Sequence, residues 1–168
     1  RKSKLVKLSE QIQEQLGTDE NSVTGERLIQ LILSAPVDLL YNGGIGTYIK
    51  DIGEQDSSVA DHANDGYRIT ADKVRAKVVA EGGNLGITMK ARIAIAQRGI
   101  KINTDAVDNS GGVNLSDREV NLKILFKQLM EKGTINLNER NNMLKDVKNS
   151  IIKDVLTDCR LVNLMLSL

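Results

Sequence analysis

Two short glycine-rich runs carry most of the chemistry that this sequence offers. Asn42-Gly43-Gly44-Ile45-Gly46-Thr47 and Glu81-Gly82-Gly83-Asn84-Leu85-Gly86 each follow a short apolar stretch. Glycine leaves the backbone bare, so main-chain N–H groups in such loops can hold the oxygens of a phosphate or carboxylate. Asparagine adds a side-chain carbonyl and an amide, suited to ribose hydroxyls, a carboxamide or the polar groups of an amino acid. A third cluster, Asn109, Gly111 and Gly112, has the same composition. For any single loop, glycines that only make a tight turn are the plainer explanation. Three such loops on one edge of a sheet reverse that preference.

Other residues offer less. His62 is the only histidine and lies in a polar stretch, without metal-ligand or acid–base partners at a defined spacing, so it reads as an ordinary exposed residue. Asp105 and Asp108 could be paired carboxylates, but loop-capping is the plainer reading for at least one of them. Ser116 has Glu119 three residues on, the spacing of a capping box over a helix from Asp117 to about Glu131. With Asn109 and Val113 nearby, Ser116 reads equally well as a ligand contact. Cys159, the only cysteine, sits in an apolar helical stretch and reads as core or interface. No G-x-G-x-x-G and no G-x-x-x-x-G-K-[ST] occurs: Gly44-Ile45-Gly46 has no third glycine three residues on, and Gly82-Gly83-x-x-Gly86 has the wrong spacing. A chain without that pyrophosphate grip handles the later part of a dinucleotide site, if any.

The elements that must position these loops follow from periodicity. Leu5, Leu8, Ile12 and Leu16 predict a helix over Ser3–Leu16, stopped at Gly17. Thr24 caps a second helix over Gly25–Ser34, which Pro36 ends. Short apolar strands are expected at Val37–Tyr41, Lys77–Ala80 and Ile100–Asn103, each emptying into one of the glycine-rich segments. Asp51–Gly66 reads as a polar surface excursion with one short helix. Thr88–Gln97 reads as a helix ending before Gly99, and a last helix runs from Asn138 to the end. Strands alternating with helices predict an α/β fold: a partial Rossmann-like open parallel sheet flanked by helices, with a C-terminal helical segment. In such sheets the ligand lies outside the carboxyl ends of the strands. The expected division is 1–133, the C-terminal part of a dinucleotide-binding domain, and 134–168, a helical segment packing on other parts of the protein.

Composition sets the outer limits. The 168 residues are 40 % hydrophobic but only 2 % aromatic, so the core is built from aliphatic side chains. A net charge of +1, with no basic run interleaved with aromatics, gives no reason to expect nucleic acid. The longest apolar stretch, Leu28–Tyr41, is too short for a membrane span. One thiol fits a reducing compartment, here expected to be the cytoplasm. The chain opens on Arg1 rather than Met, which first suggests a piece of something longer.

Ala76-Lys77-Val78-Val79-Ala80-Glu81-Gly82-Gly83-Asn84 with Thr88 and Ala91 resembles the strand and loop of glutamate dehydrogenases, with Gly83 where that family usually has Ala and Gly86 where it usually has Pro. Asp105-Ala106-Val107-Asp108-Asn109-Ser110-Gly111-Gly112-Val113, with Ser116 and Glu119, resembles a second stretch of the same family, in the right order. The runs Asp38–Tyr48, Gly82–Thr88, Asn103–Asp105 and Ser116–Asn121 look like the large multi-domain NAD-dependent enzymes of bacteria. The resemblance spans most of residues 24–160. It implies oxidative deamination of L-glutamate to 2-oxoglutarate and ammonia, with NAD as cofactor. It implies that Asn42, Gly43, Gly44, Gly46, Thr47, Gly82, Gly83, Asn84 and Asn109 face the cofactor, and that Asn109, Val113 and Ser116 face the substrate. The choice of NAD over NADP rests on the resemblance alone. The family's catalytic lysine and aspartate have no counterpart here, so the isolated chain is expected to be inactive and to depend on the remaining domains of a longer, homo-oligomeric parent. The competing readings are another amino-acid dehydrogenase, or a non-enzymatic nucleotide-binding or interaction module. Glu81 and Ser116 favour glutamate, because an apolar side-chain pocket needs no hydroxyl to pair with a carboxylate.

Overall fold

The computed structural model describes residues 4–167, which fall into two compact units, one up to Asp105 and one from Ala106 onward. In the first, β1 (Val6–Lys7) pairs antiparallel with β2 (Ser22–Val23), and between them lies α1 (Glu10–Leu16). The Ser9 hydroxyl accepts the Ile12 amide at the start of α1, and Gly17 ends it in the left-handed conformation, φ 64°. The helix expected over Ser3–Leu16 is therefore shorter. Ser9 sets its start, and Leu8, ahead of that cap, packs with Val23 and Leu31 in a small core of its own. Ser3 lies outside the described residues. Helix α2 (Gly25–Leu33) is capped by Thr24, whose hydroxyl accepts the Arg27 amide, and stops short of Pro36 as expected.

The three-stranded sheet is made by β3 (Leu39–Asn42), β6 (Val78–Glu81) and β7 (Lys101–Ile102), all parallel, in the order β3-β6-β7. The expected strands lie within one or two residues of these. A second parallel pair, β4 (Ile49–Lys50) and β5 (Ile69–Thr70), had no counterpart among the expected elements. Helix α4 (Met89–Gln97) is capped by Thr88 and followed by Gly99 at φ 83°. The core joins Ile49, Ile69, Val74, Val79, Ile87, Ala91 and Ile95, all aliphatic.

The polar excursion after β4 holds α3 (Asp56–Val59) and a single 3-10 turn, His62–Asn64. One buried side chain gathers it. The Arg68 guanidinium donates to Asp56 at 2.6 Å, to Asp65 at 2.5 Å, to the Asp61 carbonyl at 2.7 Å and to the Thr47 carbonyl at 3.0 Å. His62 is exposed and touches Asp65 at 3.3 Å.

The second unit is helical, with α5 (Asp105–Asp108) at the junction, then α6 (Ser110–Glu131) and α7 (Leu137–Met165). A capping box of Asn136 and Glu139 starts α7. Asn114 and Arg118 donate to Asp158 at 2.7 and 3.2 Å, and Ser110 meets Cys159, so the two long helices pack antiparallel. Two expectations fail here. The third glycine cluster is not a loop: Gly111 and Gly112 occupy the first turn of α6. Gly111 is small because a Cβ there would stand 3.1 Å from the Cys159 sulfur, so this glycine admits α7 rather than making a turn. Ser116 is not an N-cap either. It sits inside α6 and donates back to the Gly112 carbonyl at 2.8 Å. No helix of the described residues is long and apolar enough to cross a membrane.

Lys50 and then Arg68 hold the Asp56 carboxyl below its ordinary value. Arg68 does so for Asp65, and the Thr47 amide followed by the Asn64 amide does so for Asp61. A carboxyl depressed on folding contributes stability above its ordinary value and loses it as pH falls through the depressed one. The 51–66 segment is therefore expected to become protease-sensitive below about pH 4. Arg68→Met should make it sensitive already at pH 7, as followed by limited proteolysis and mass spectrometry of the cut sites.

Candidate functional site

Parallel pairing sets Leu39 opposite Val78 and Asn42 opposite Glu81, so β3 and β6 end side by side. The two glycine loops leave the sheet together at its carboxyl edge, and the Gly82 amide still reaches the Asn42 carbonyl at 2.9 Å. The loops then nearly touch. A Cβ on Gly83 would stand 2.6 Å from the Gly44 carbonyl oxygen, so glycine, not the family's usual alanine, is what this pair of loops admits. Gly46 has φ 125°, a conformation closed to other residues at ordinary cost. The Asn42 amide nitrogen is buried here without a hydrogen-bond partner, a state worth about 1–3 kcal/mol of lost solvation.

The second loop is held at every corner. The Glu81 carboxylate accepts the Gly86 amide at 3.1 Å, closing the loop start onto its end. The Gly86 carbonyl accepts the amides of Tyr48 and Ile49 at 2.8 and 3.2 Å, tying the loop to β4. Leu85 is left-handed at φ 61°, which costs a non-glycine residue roughly 1–2 kcal/mol. Its amide donates to Asp105 at 3.0 Å, and its carbonyl accepts the Thr47 hydroxyl at 2.6 Å. Thr47 in turn gives its amide to Asp61 at 2.7 Å and its carbonyl to Arg68. The backbone and hydroxyl of Thr47 thus brace the loops.

Glu81 and Arg92 form a buried ion pair beneath this loop at 2.5 Å, their side chains 0 % and 6 % exposed. Arg92 also donates to the Asn103 carbonyl at 2.7 Å, joining the ends of β6 and β7. Burial holds the Glu81 carboxyl above its ordinary value despite Arg92 beside it and the Gly86 amide. Glu81 therefore supports the loop from inside and does not face a substrate, so the sequence argument for glutamate rests on Ser116. This pairing was missed because Glu81 and Arg92 are eleven residues apart with no motif linking them.

The residues expected to face the substrate lie in the second unit. Asn109 stands at the start of α6 without a side-chain capping bond, and Val113 and Ser116 follow at helical spacing on one face. Val113 is 61 % exposed and Ser116 is exposed. A cavity of about 590 Å³ lies in the first unit, but none of the candidate residues lines it. Its basic groups are matched: Arg27 by Glu20, Lys73 by Asp72, and Arg75 by the carbonyls of Leu16 and Ser34.

Removing one member of a buried pair leaves the other charge uncompensated. Arg92→Met is expected to cost about 3–5 kcal/mol of local stability. A carboxyl raised on folding contributes stability below its ordinary value and loses it as pH rises through the raised one. The Arg92→Met defect should therefore be largest at neutral pH and smaller near pH 5, and Arg92→Met/Glu81→Gln should remove that dependence. Hydrogen exchange of the Gly82–Gly86 amides reads both effects.

Residues 1–168 match the family described as bacterial NAD-glutamate dehydrogenase, catalytic domain. The chain is 48 % identical over 165 residues to the NAD-specific glutamate dehydrogenase of Mycobacterium tuberculosis, covering 94 % of this chain and 10 % of that protein. It is 41 % identical over 158 residues to the NAD-specific glutamate dehydrogenase of Halomonas elongata, covering 94 % and 10 %. It is 41 % identical over 151 residues to that of Pseudomonas aeruginosa, covering 90 % and 9 %. The chain thus spans about a tenth of the length of the curated relatives it matches. With a family match over its whole length, and with paired glycine loops on a parallel sheet edge where that family's motifs fall, the chain belongs to the bacterial NAD-glutamate dehydrogenase catalytic-domain family.

Proposed function

We propose that this chain is the cofactor- and substrate-facing segment of a longer enzyme that oxidatively deaminates L-glutamate to 2-oxoglutarate and ammonia, with hydride transfer to NAD. The observation that carries this reading is the register of β3 on β6, which sets two glycine loops side by side at the carboxyl edge of a parallel sheet. That edge is where open α/β sheets receive ligands. The relatives' names supply the substrate and the cofactor.

NAD supplies the hydride acceptor. The residues present suit its nicotinamide end: bare backbone at Gly82 and Gly83, the Asn84 side chain, and the neighbouring loop of Asn42, Gly43, Gly44, Gly46 and Thr47 close beside them. The unpartnered Asn42 amide beside these loops suits a site that a ligand completes. Thr47 would act through its bracing of Leu85 rather than as a free donor. Asn109 would face both nicotinamide and substrate, and Val113 would pack on the substrate's aliphatic part. Ser116 would exchange its bond to the Gly112 carbonyl for the substrate's side-chain carboxylate. Residues 1–133 then complete a dinucleotide-binding domain whose earlier half, with the pyrophosphate grip and the catalytic lysine and aspartate, comes from elsewhere in the parent. Residues 134–168 pack on other parts of it. The parent is proposed to be a cytoplasmic homo-oligomer.

In the full-length enzyme, Asn84→Ala should raise the apparent KM for NAD with little change for glutamate. Ser116→Ala should raise the glutamate KM or lower kcat, by about tenfold for one charge-assisted hydrogen bond. Steady-state kinetics with each substrate varied in turn measures both. If neither variant differs from wild type, the glycine loops are turns only and the reading is wrong.

A further inference from the structure

Leu85 is an unusual choice for its place. It lies 69 % exposed in the second glycine loop, with a left-handed backbone that glycine adopts freely and leucine does not. Nothing about its side chain demands that conformation; its backbone partners do. The Asp105 carboxylate accepts its amide at 3.0 Å, and the Thr47 hydroxyl donates to its carbonyl at 2.6 Å. The peptide planes on both sides of Leu85 are thereby fixed, and one of them is the Asn84–Leu85 plane. Beneath, Glu81 closes the loop onto the Gly86 amide and is itself fixed by Arg92.

We propose that Asp105 is a positioning residue for cofactor binding: by accepting the Leu85 amide it holds the left-handed turn that orients Gly82–Asn84, while the Glu81–Arg92 pair closes the same loop from below. The inference rests on the reading of this loop as a cofactor contact. It agrees with the loop-capping reading of Asp105 from sequence, because one carboxylate oxygen is engaged by the Leu85 amide. Without Asp105, leucine relaxes toward negative φ, both flanking peptide planes rotate, and Asn84 turns with them. A glycine at 85 needs no such holding, since both hands of the backbone are open to it.

The test uses the full-length enzyme, with NAD binding measured directly by calorimetry and both KM values by steady-state kinetics. Asp105→Ala is expected to weaken NAD binding by about tenfold or more while leaving the glutamate KM within about twofold. Asp105→Asn keeps a carbonyl acceptor for the Leu85 amide and should retain most of the affinity. Leu85→Gly placed on Asp105→Ala should recover part of the loss, a rescue that a general structural role would not give. Asn84→Ala serves as reference. If Asn84→Ala weakens NAD binding and Asp105→Ala does not, the positioning role is wrong and the cofactor reading stands. If both are silent, both fall. A loss in Asp105→Ala that affects NAD and glutamate alike, with no rescue by Leu85→Gly, also overturns the positioning role.

Discussion

The rest of the site depends on the parallel register of β3 on β6. Parallel neighbours cannot be joined by a tight turn, so each must leave the sheet at the same end and find its own way back. With Asn42 opposite Glu81, both chains leave at the same level, and the two following segments compete for one small space. Glycine resolves the competition. Gly83 passes the Gly44 carbonyl at a distance no side chain allows, and the two loops form one edge instead of two separate turns.

Holding that edge open needs support from inside the fold, and the support is polar. Glu81 and Arg92 lie where an aliphatic pair would also pack, yet an aliphatic residue at 81 could not accept the Gly86 amide, and one at 92 could not reach the Asn103 carbonyl. A buried ion pair is weak as a source of net stability but strongly directional once formed. Its hydrogen bonds fix one loop shape. Arg68 does the same on the neighbouring segment, where one guanidinium binds two carboxylates and two carbonyls and so fixes Thr47, which in turn holds Leu85. Two buried arginines thus brace the backbone that the proposed cofactor would meet.

Much of this was legible in the sequence. The strands around Leu40, Val79 and Ile102, the cap at Thr24, the helix up to Gln97 and the stop at Gly17 follow from local patterns that packing did not override. Where local pattern and structure part, the reason is a packing partner that the pattern does not show. Gly111 and Gly112 look like the other two glycine runs, yet here Gly111 makes room for Cys159 and the second long helix, and Gly112 for the Asn109 side chain, rather than for a turn. Ser116 and Glu119 have capping-box spacing, yet the helix begins at Ser110 rather than Asp117, leaving Ser116 to bond back to Gly112 and Glu119 to pair with Lys123. Two-residue strands such as those at Val6 and Ile49 are too short to show a period. Glu81 invited a substrate role until its burial beside Arg92 was visible.

Cryo-electron microscopy of the full-length enzyme with NAD bound tests the central claim most directly. The account predicts the nicotinamide ribose within hydrogen-bond distance of the Gly82–Asn84 backbone or the Asn84 side chain, with residues 42–47 along the same groove. NAD density on another surface, with the carboxyl edge of β3 and β6 covered by protein, would contradict it.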